Sequence, residues 1–147
     1  MIYSAVASRR NQFDALAWQV PLISFTAQAF LFLIALSPDS SQVARTIAGS
    51  LSVLIATLSI LLLARHRQGE IADAEWLERV ESSMKAELHV HGDPWRKRRE
   101  AVLPGRGLFS GIPLLNAYAV WVCGLWLIGA TAGFVVVLTW TAPELLS

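Results

Sequence analysis

The chain lacks charged side chains over three long stretches. Residues 15–38, 46–64 and 107–143 contain no Asp, Glu, Lys or Arg, and they are 24, 19 and 37 residues long. The hydrocarbon core of a bilayer is about 30 Å thick and takes roughly 20 mainly apolar helical residues to cross. Because backbone amides inside lipid must be bonded within their own segment, such runs predict helices. The sequence therefore predicts an all-α integral membrane protein. Its three transmembrane helices are predicted at about residues 17–37, 44–65 and 117–141.

These stretches also hold few groups that could perform chemistry. The single cysteine, Cys123, lies in the third stretch, where it has no partner for an intrachain disulfide and apolar neighbours that keep a thiol unreactive. Proton-coupled transporters and intramembrane enzymes place ionisable side chains at membrane depth, and the three stretches contain none of the charged types. We therefore expect no enzymatic activity and no cofactor.

Basic residues are distributed unevenly around the predicted spans. Of the 12 Lys and Arg residues, two precede the first span, one lies in the first connection, nine lie between spans two and three, and none follows the third. Cytoplasmic flanks carry the excess of Lys and Arg. This predicts a multi-pass protein of the cytoplasmic membrane with residues 1–16 and 66–115 inside and the C-terminus outside. The first apolar run is longer than the apolar region of a signal peptide, which has roughly 7–15 residues, so we expect a retained anchor.

The transmembrane hairpin, residues 17–64, carries small and polar residues on its helix faces. Span two has small residues on one stripe, where a neighbouring helix can approach closely: Gly49, Ser52, Ala56 and Ser59. We expect this neighbour to be span one, which carries Ser24 and Gln28 on a comparable stripe. Two interpretations of these polar groups stay open, namely hydrogen bonds between helices and the lining of a pore.

Span three contains a GxxxG pattern at Gly129 and Gly133. Such a pattern indicates close helix packing, either within one protomer or between copies.

The predicted cytoplasmic segment, residues 66–115, begins with an acidic amphipathic helix. Gly69 is a candidate hinge before it. Residues 70–88 carry six acidic and two basic side chains, so this helix should not lie on anionic lipid. We predict instead that its apolar stripe docks on a protein helix, from this chain or from a partner. The stripe comprises Trp76, Leu77, Val80, Met84 and Leu88.

A second, basic helix is predicted over residues 94–103, because Asp93 followed by Pro94 is typical of a helix start. Its basic cluster beside an aromatic residue favours binding to anionic lipids of the inner leaflet rather than nucleic acid. The cluster comprises Trp95, Arg96, Lys97, Arg98 and Arg99. We predict that the acidic and basic helices form a cytoplasmic helical hairpin between spans two and three. Direct pairing of their charges is the alternative to lipid binding.

His89 and His91 are weak candidates for metal ligands. Alternate residues of an extended turn can face one ion, with Asp93 nearby, but no third His or Cys accompanies them. We expect no metal, and an enzyme built on these two histidines is a minor hypothesis.

Two function classes fit these features. The first is an oligomeric pore or channel-like effector, controlled by its cytoplasmic helices. The second is a non-conducting scaffold or accessory subunit that docks a partner through residues 70–88. The general plan of a small transmembrane hairpin with cytoplasmic helices resembles that of several bacterial membrane-disrupting effectors. Phage holins also have three spans, but their usual orientation is opposite to the one that the charges predict here.

Overall fold

A computed structural model describes residues 2–84 and 117–146 of the chain. Within these residues the fold is all-helical. It contains three α-helices, α1 (Ile2–Ala35), α2 (Gln42–Ser83) and α3 (Ala117–Thr141), and a short 3₁₀ helix at Pro143–Leu146. All three α-helices are long and apolar enough to cross a membrane. The prediction of an all-helical protein with three candidate membrane-spanning helices is confirmed.

Helix α1 covers both the predicted N-terminal segment and the first span without interruption. Pro21 lies inside α1 and is buried. Proline within a helix removes one backbone hydrogen bond, at a typical cost of about 3 kcal/mol. No glycine or second proline accompanies it between residues 2 and 35, and the helix continues through it. Proline is best tolerated in the first turn of a helix, whereas Pro21 lies well inside α1.

The turn between α1 and α2 is fixed by side-chain bonds to the backbone. The backbone N–H of Ala44 donates to Ser41 Oγ (3.2 Å), which makes Ser41 the N-cap of α2. The guanidinium of Arg45 donates to the carbonyls of Ser37 (2.9 Å) and Pro38 (3.2 Å), just beyond the end of α1. A basic side chain is favourable beside these carbonyls because α1 leaves its last C=O groups without helical partners.

Helix α2 continues through Gly69 to Ser83. The predicted hinge at Gly69 is therefore not present in this conformation. A Cβ at this position would lie 2.8 Å from the ring of Phe13, so glycine here permits close approach of an aromatic side chain rather than bending.

The chain divides into two compact units. We call Trp18–Leu63 with Ala117–Ser147 the apolar unit, and Met1–Ala17 with Ala64–Asn116 the charged unit. Helices α1 and α2 each contribute residues to both units. The core of the apolar unit has one buried residue from each helix, Ala35, Ala48 and Val135, packed with Leu31 and Phe32.

Within the apolar unit, the small residues of α2 serve two neighbours. Gly49 faces α3, where an added Cβ would overlap the side chain of Val136 and lie 3.3 Å from the carbonyl oxygen of Ala132. A Cβ on Gly129 would lie 3.0 Å from that of Ala56. Ser52 instead bonds to α1. Ser52 thus contacts span one, whereas α3, the helix with the GxxxG pattern, covers Gly49 and Ala56.

Candidate functional site

The apolar unit contains a buried polar layer formed by Gln28 of α1 and Ser52 of α2. Gln28 is 1% exposed, and its Nε2 donates to the carbonyl oxygen of Ser52 at 2.9 Å. The Ser52 hydroxyl donates in turn to Gln28 Oε1. A buried amide without partners costs free energy, so this reciprocal bonding stabilises the layer and joins the two helices. Of the two interpretations left open by the sequence, this conformation has the interhelical hydrogen bond.

Ser24 and Ser59 complete the set of predicted polar positions in the first two spans. Ser24 lies one turn before Gln28 on α1 and is 3% exposed. Its hydroxyl has no hydrogen-bond partner among the residues that the structure describes. Ser59 is half-buried on α2. The buried layer thus extends from the Gln28–Ser52 pair toward Ser24.

The outer faces of the apolar unit carry large exposed apolar side chains. Examples on all three helices are Leu22, Phe30, Leu33, Leu54, Leu58, Leu61, Trp126, Leu127 and Phe134. Three exposed threonines, Thr26, Thr57 and Thr131, donate their hydroxyls to the carbonyl four residues earlier at 2.9 Å. Their hydrogen-bonding capacity is therefore used within their own helices, as a hydrocarbon environment requires.

In the charged unit, α1 and α2 form an antiparallel pair held by polar contacts. The Tyr3 hydroxyl donates to Glu81 Oε1. Arg9 donates to both oxygens of Asp73, from Nε at 2.8 Å and from Nη2 at 2.5 Å. Further along, the Phe13 ring lies against Gly69, with its centroid 5.9 Å from that of His66. The contacts thus run in opposite directions along the two helices, as expected for an antiparallel pair.

Burial determines the electrostatics of this pair. Asp73 is 5% exposed and Glu81 is 2% exposed, so both carboxylates have lost most of their hydration. Isolated buried carboxylates are costly, and here α1 supplies their donors. The hydrogen bond to Asp73 and the charge of its carboxylate raise the pKa of Arg9, so this residue stays cationic. The pair thus combines a two-point charged hydrogen bond with a phenol-to-carboxylate bond.

Tyr3 should lose its bond to Glu81 at alkaline pH. The hydrogen bond to Glu81, with burial and the negative charge of that carboxylate, raises the pKa of Tyr3 above its ordinary value of 10.0. Because the pKa is raised by folding, the stabilisation is complete below about pH 10 and is lost as the pH rises through the raised pKa. Absorbance at 295 nm during alkaline titration should show Tyr3 ionising above the ordinary range.

The chain has two tyrosines, so the control is a Tyr3→Phe variant titrated in parallel. The difference between the two curves isolates Tyr3. An ordinary pKa for Tyr3 would contradict the bond to Glu81.

The predicted docking stripe on α2 is partly covered by α1. Leu77 is fully buried, and it lies four residues from both Asp73 and Glu81, so all three share the helix face that pairs with α1. Trp76 and Val80 are half-buried. Met84 is 61% exposed.

Several predicted positions lie outside the described residues. They are Leu88, His89, His91 and the basic cluster Trp95, Arg96, Lys97, Arg98 and Arg99.

Sequence reasoning missed Tyr3, Arg9, Asp73 and Glu81 as a set. A usable signal was present, because the aromatic and apolar residues Tyr3, Val6 and Phe13 of the N-terminal segment recur at helical spacing. This spacing predicts a helix with one covered face, although it does not identify the cover.

No protein-family model, no curated protein and no solved structure matches this chain. Functional inference therefore depends on the geometry of the polar layer and of the charged unit.

Proposed function

We propose that this chain is a multi-pass protein of the cytoplasmic membrane, with its N-terminus and residues 66–115 in the cytoplasm and its C-terminus outside. Three helices of sufficient length and apolarity support insertion. The distribution of Lys and Arg supports the orientation. Arg45 is the one basic residue on the proposed outer side. It donates to two backbone carbonyls of its own turn, and these bonds favour its position in that turn.

We further propose that the protein acts as an oligomeric, pore-like membrane effector whose cytoplasmic helices control spans one and two. The observation that carries this proposal is the continuity of α1 and α2. Each helix contributes to the apolar unit and, without a break, to the charged unit, where the exposed Arg9 of α1 pairs with the buried Asp73 of α2. A change in the cytoplasmic contacts can therefore bias the same two helices that carry the polar layer.

In this proposal the described conformation is the closed one. The Gln28 amide and the Ser52 hydroxyl are bonded to each other and withdrawn from the surface. Separation of α1 from α2 would free these groups to face water, as the lining of a conduit requires. Opening then exchanges two protein–protein hydrogen bonds for bonds to water, which is a modest difference in free energy.

The test is conductance in planar bilayers under applied voltage. We expect the purified wild-type protein to give discrete current steps, and Ser52→Leu or Gln28→Leu to change the size of each step because the lining is altered. The matched control is Ser50→Leu, two residues away on the exposed side of α2, which should leave the step size unchanged. Equal effects at Ser50 and Ser52, or no steps at all, would contradict a pore lined by these groups.

A non-conducting scaffold or accessory subunit is the second candidate. It is favoured by the exposed threonines of the apolar unit, whose hydroxyls bond within their own helices and leave an outer face suited to lipid. In this case the Gln28–Ser52 pair only joins helices, and the partner docks on the exposed end of the acidic helix near Met84. Absence of current together with a monomer or a mixed complex in detergent would support this candidate. A ring of four or more copies would favour the pore.

A further inference from the structure

The contact between residues 2–17 and the last part of α2 has features that allow the two segments to separate. We call residues 2–17 the N-terminal strap. The strap contacts α2 at three levels, through Tyr3, Arg9 and Phe13. On α2 the receiving positions Gly69, Asp73 and Glu81 are spaced by multiples of four residues, so they form one helix face. The strap therefore covers a continuous face of α2 rather than a single point.

Two of the three contact levels between the strap and α2 are polar. Separating the strap from α2 therefore costs less free energy than opening an apolar core. When the strap leaves, Asp73 regains water, which solvates carboxylates well. The apolar loss is concentrated at Leu77 and Phe13. Helical segments with few buried apolar contacts belong to the low-stability parts of proteins, which open first.

The buried Asp73 carboxylate depends on the strap for its charged donor, Arg9. An ion pair that loses one partner leaves an uncompensated charge, which is strongly unfavourable until water or another donor reaches it. The Asp73 carboxylate is thus in one of two states, paired with Arg9 of the strap or hydrated. This is the two-state element that a switch requires.

We propose that the N-terminal strap is an autoinhibitory element, whose bonds from Arg9 to Asp73 and from Tyr3 to Glu81 hold α1 and α2 in the closed conformation. This inference rests on the proposed pore-like function and specifies its regulation. Release of the strap opens the conduit, and re-pairing closes it.

The test combines a charge exchange with two independent readouts. Spin labels at the exposed positions Ala5→Cys and Ser82→Cys, in a Cys123→Ala background, report the distance between strap and α2. Single-channel recording reports the open probability. We expect Asp73→Arg to lengthen the label distance and to raise the open probability by roughly tenfold, the factor associated with about 1.4 kcal/mol. Arg9→Asp combined with Asp73→Arg restores the opposite charges and should return both readouts toward wild type.

Two further variants protect the test against misfolding. Asp73→Asn keeps the side-chain size and should change both readouts in the same direction by less. Glu75→Arg introduces the same charge change at an exposed position two residues away and should match wild type.

Each result decides the inference. If the label distance in Asp73→Arg is unchanged, the Arg9–Asp73 pair does not hold the strap against α2, and the proposal is wrong whatever the currents show. If the labels separate but the open probability stays at the wild-type value, the strap is not autoinhibitory. The current steps, and their change in Ser52→Leu, would still support the pore. Separated labels without current in any variant overturn the pore, and the gating role with it.

Discussion

Replacing Leu77 by alanine is expected to destabilise the charged unit by about 2–5 kcal/mol, the range for truncation of a buried leucine. Leu77 is 0% exposed and lies on the face of α2 that pairs with the N-terminal strap. Loss of its methyl groups removes buried apolar surface and leaves a cavity between two polar contact levels. Amide hydrogen exchange in detergent should become faster over residues 2–17 and 64–84, because both sides of the pair depend on this side chain.

The matched control is Met84→Ala. Met84 belongs to the same predicted stripe but is 61% exposed, so its truncation should change stability by less than about 0.5 kcal/mol. This pair of variants also separates folding from docking. A partner that binds through the stripe should be lost in Met84→Ala with hydrogen exchange unchanged. If Leu77→Ala leaves exchange at the wild-type rate, Leu77 does not hold the pair together.

The helical class and the number of candidate spans could be predicted because they depend on a strong and local physical cost. Charged side chains are expensive in hydrocarbon, and their absence over three long stretches is visible without any knowledge of packing. The end of α1 and the start of α2 could also be predicted from nearby residues. Pro38 and the serines that follow it are typical turn and capping residues. Helix continuity was harder to predict. Pro21 and Gly69 weaken a helix in isolation, and only packing maintains α1 and α2 through them.

Gln28 and Ser52 could be placed on facing stripes from spacing alone, and their hydrogen bond agrees with one of the two interpretations. The division of the α2 stripe between two neighbours could not be predicted. Gly49, Ser52 and Ala56 lie close together around the helix axis, and spacing does not specify which neighbour each one meets. That choice depends on how α3 approaches, which is a property of all three helices together.

The N-terminal strap was missed because its partners are far apart in sequence. Arg9 and Asp73 are 64 residues apart, and Tyr3 and Glu81 are 78 apart. An acidic face on one segment and basic and phenolic donors on another indicate complementarity, but many such pairs exist in any charged chain. Sequence reasoning predicted a protein partner for the acidic helix and left open whether it came from this chain. In the described residues, part of that face is covered by the chain itself.

Replacing Gly49 by alanine is expected to destabilise the apolar unit by about 1–3 kcal/mol, the usual cost of overpacking. The new Cβ would overlap the side chain of Val136 and approach the Ala132 carbonyl oxygen to 3.3 Å. Val136 is β-branched and stiff, and a backbone carbonyl cannot move without displacing α3, so the strain cannot be relieved by rotation of one flexible side chain. Far-UV circular dichroism during titration of mixed micelles with sodium dodecyl sulfate should show an earlier unfolding midpoint.

Gly133→Ala provides the control, because it makes the same substitution in α3 where space is available. There the added Cβ would lie 3.7 Å from Val53 Cγ2, an ordinary contact, and alanine favours a helix over glycine by about 1 kcal/mol. We therefore expect a neutral or stabilising effect at Gly133 and a destabilising effect at Gly49. Equal effects at both positions would mean that α2 and α3 do not pack closely at Gly49.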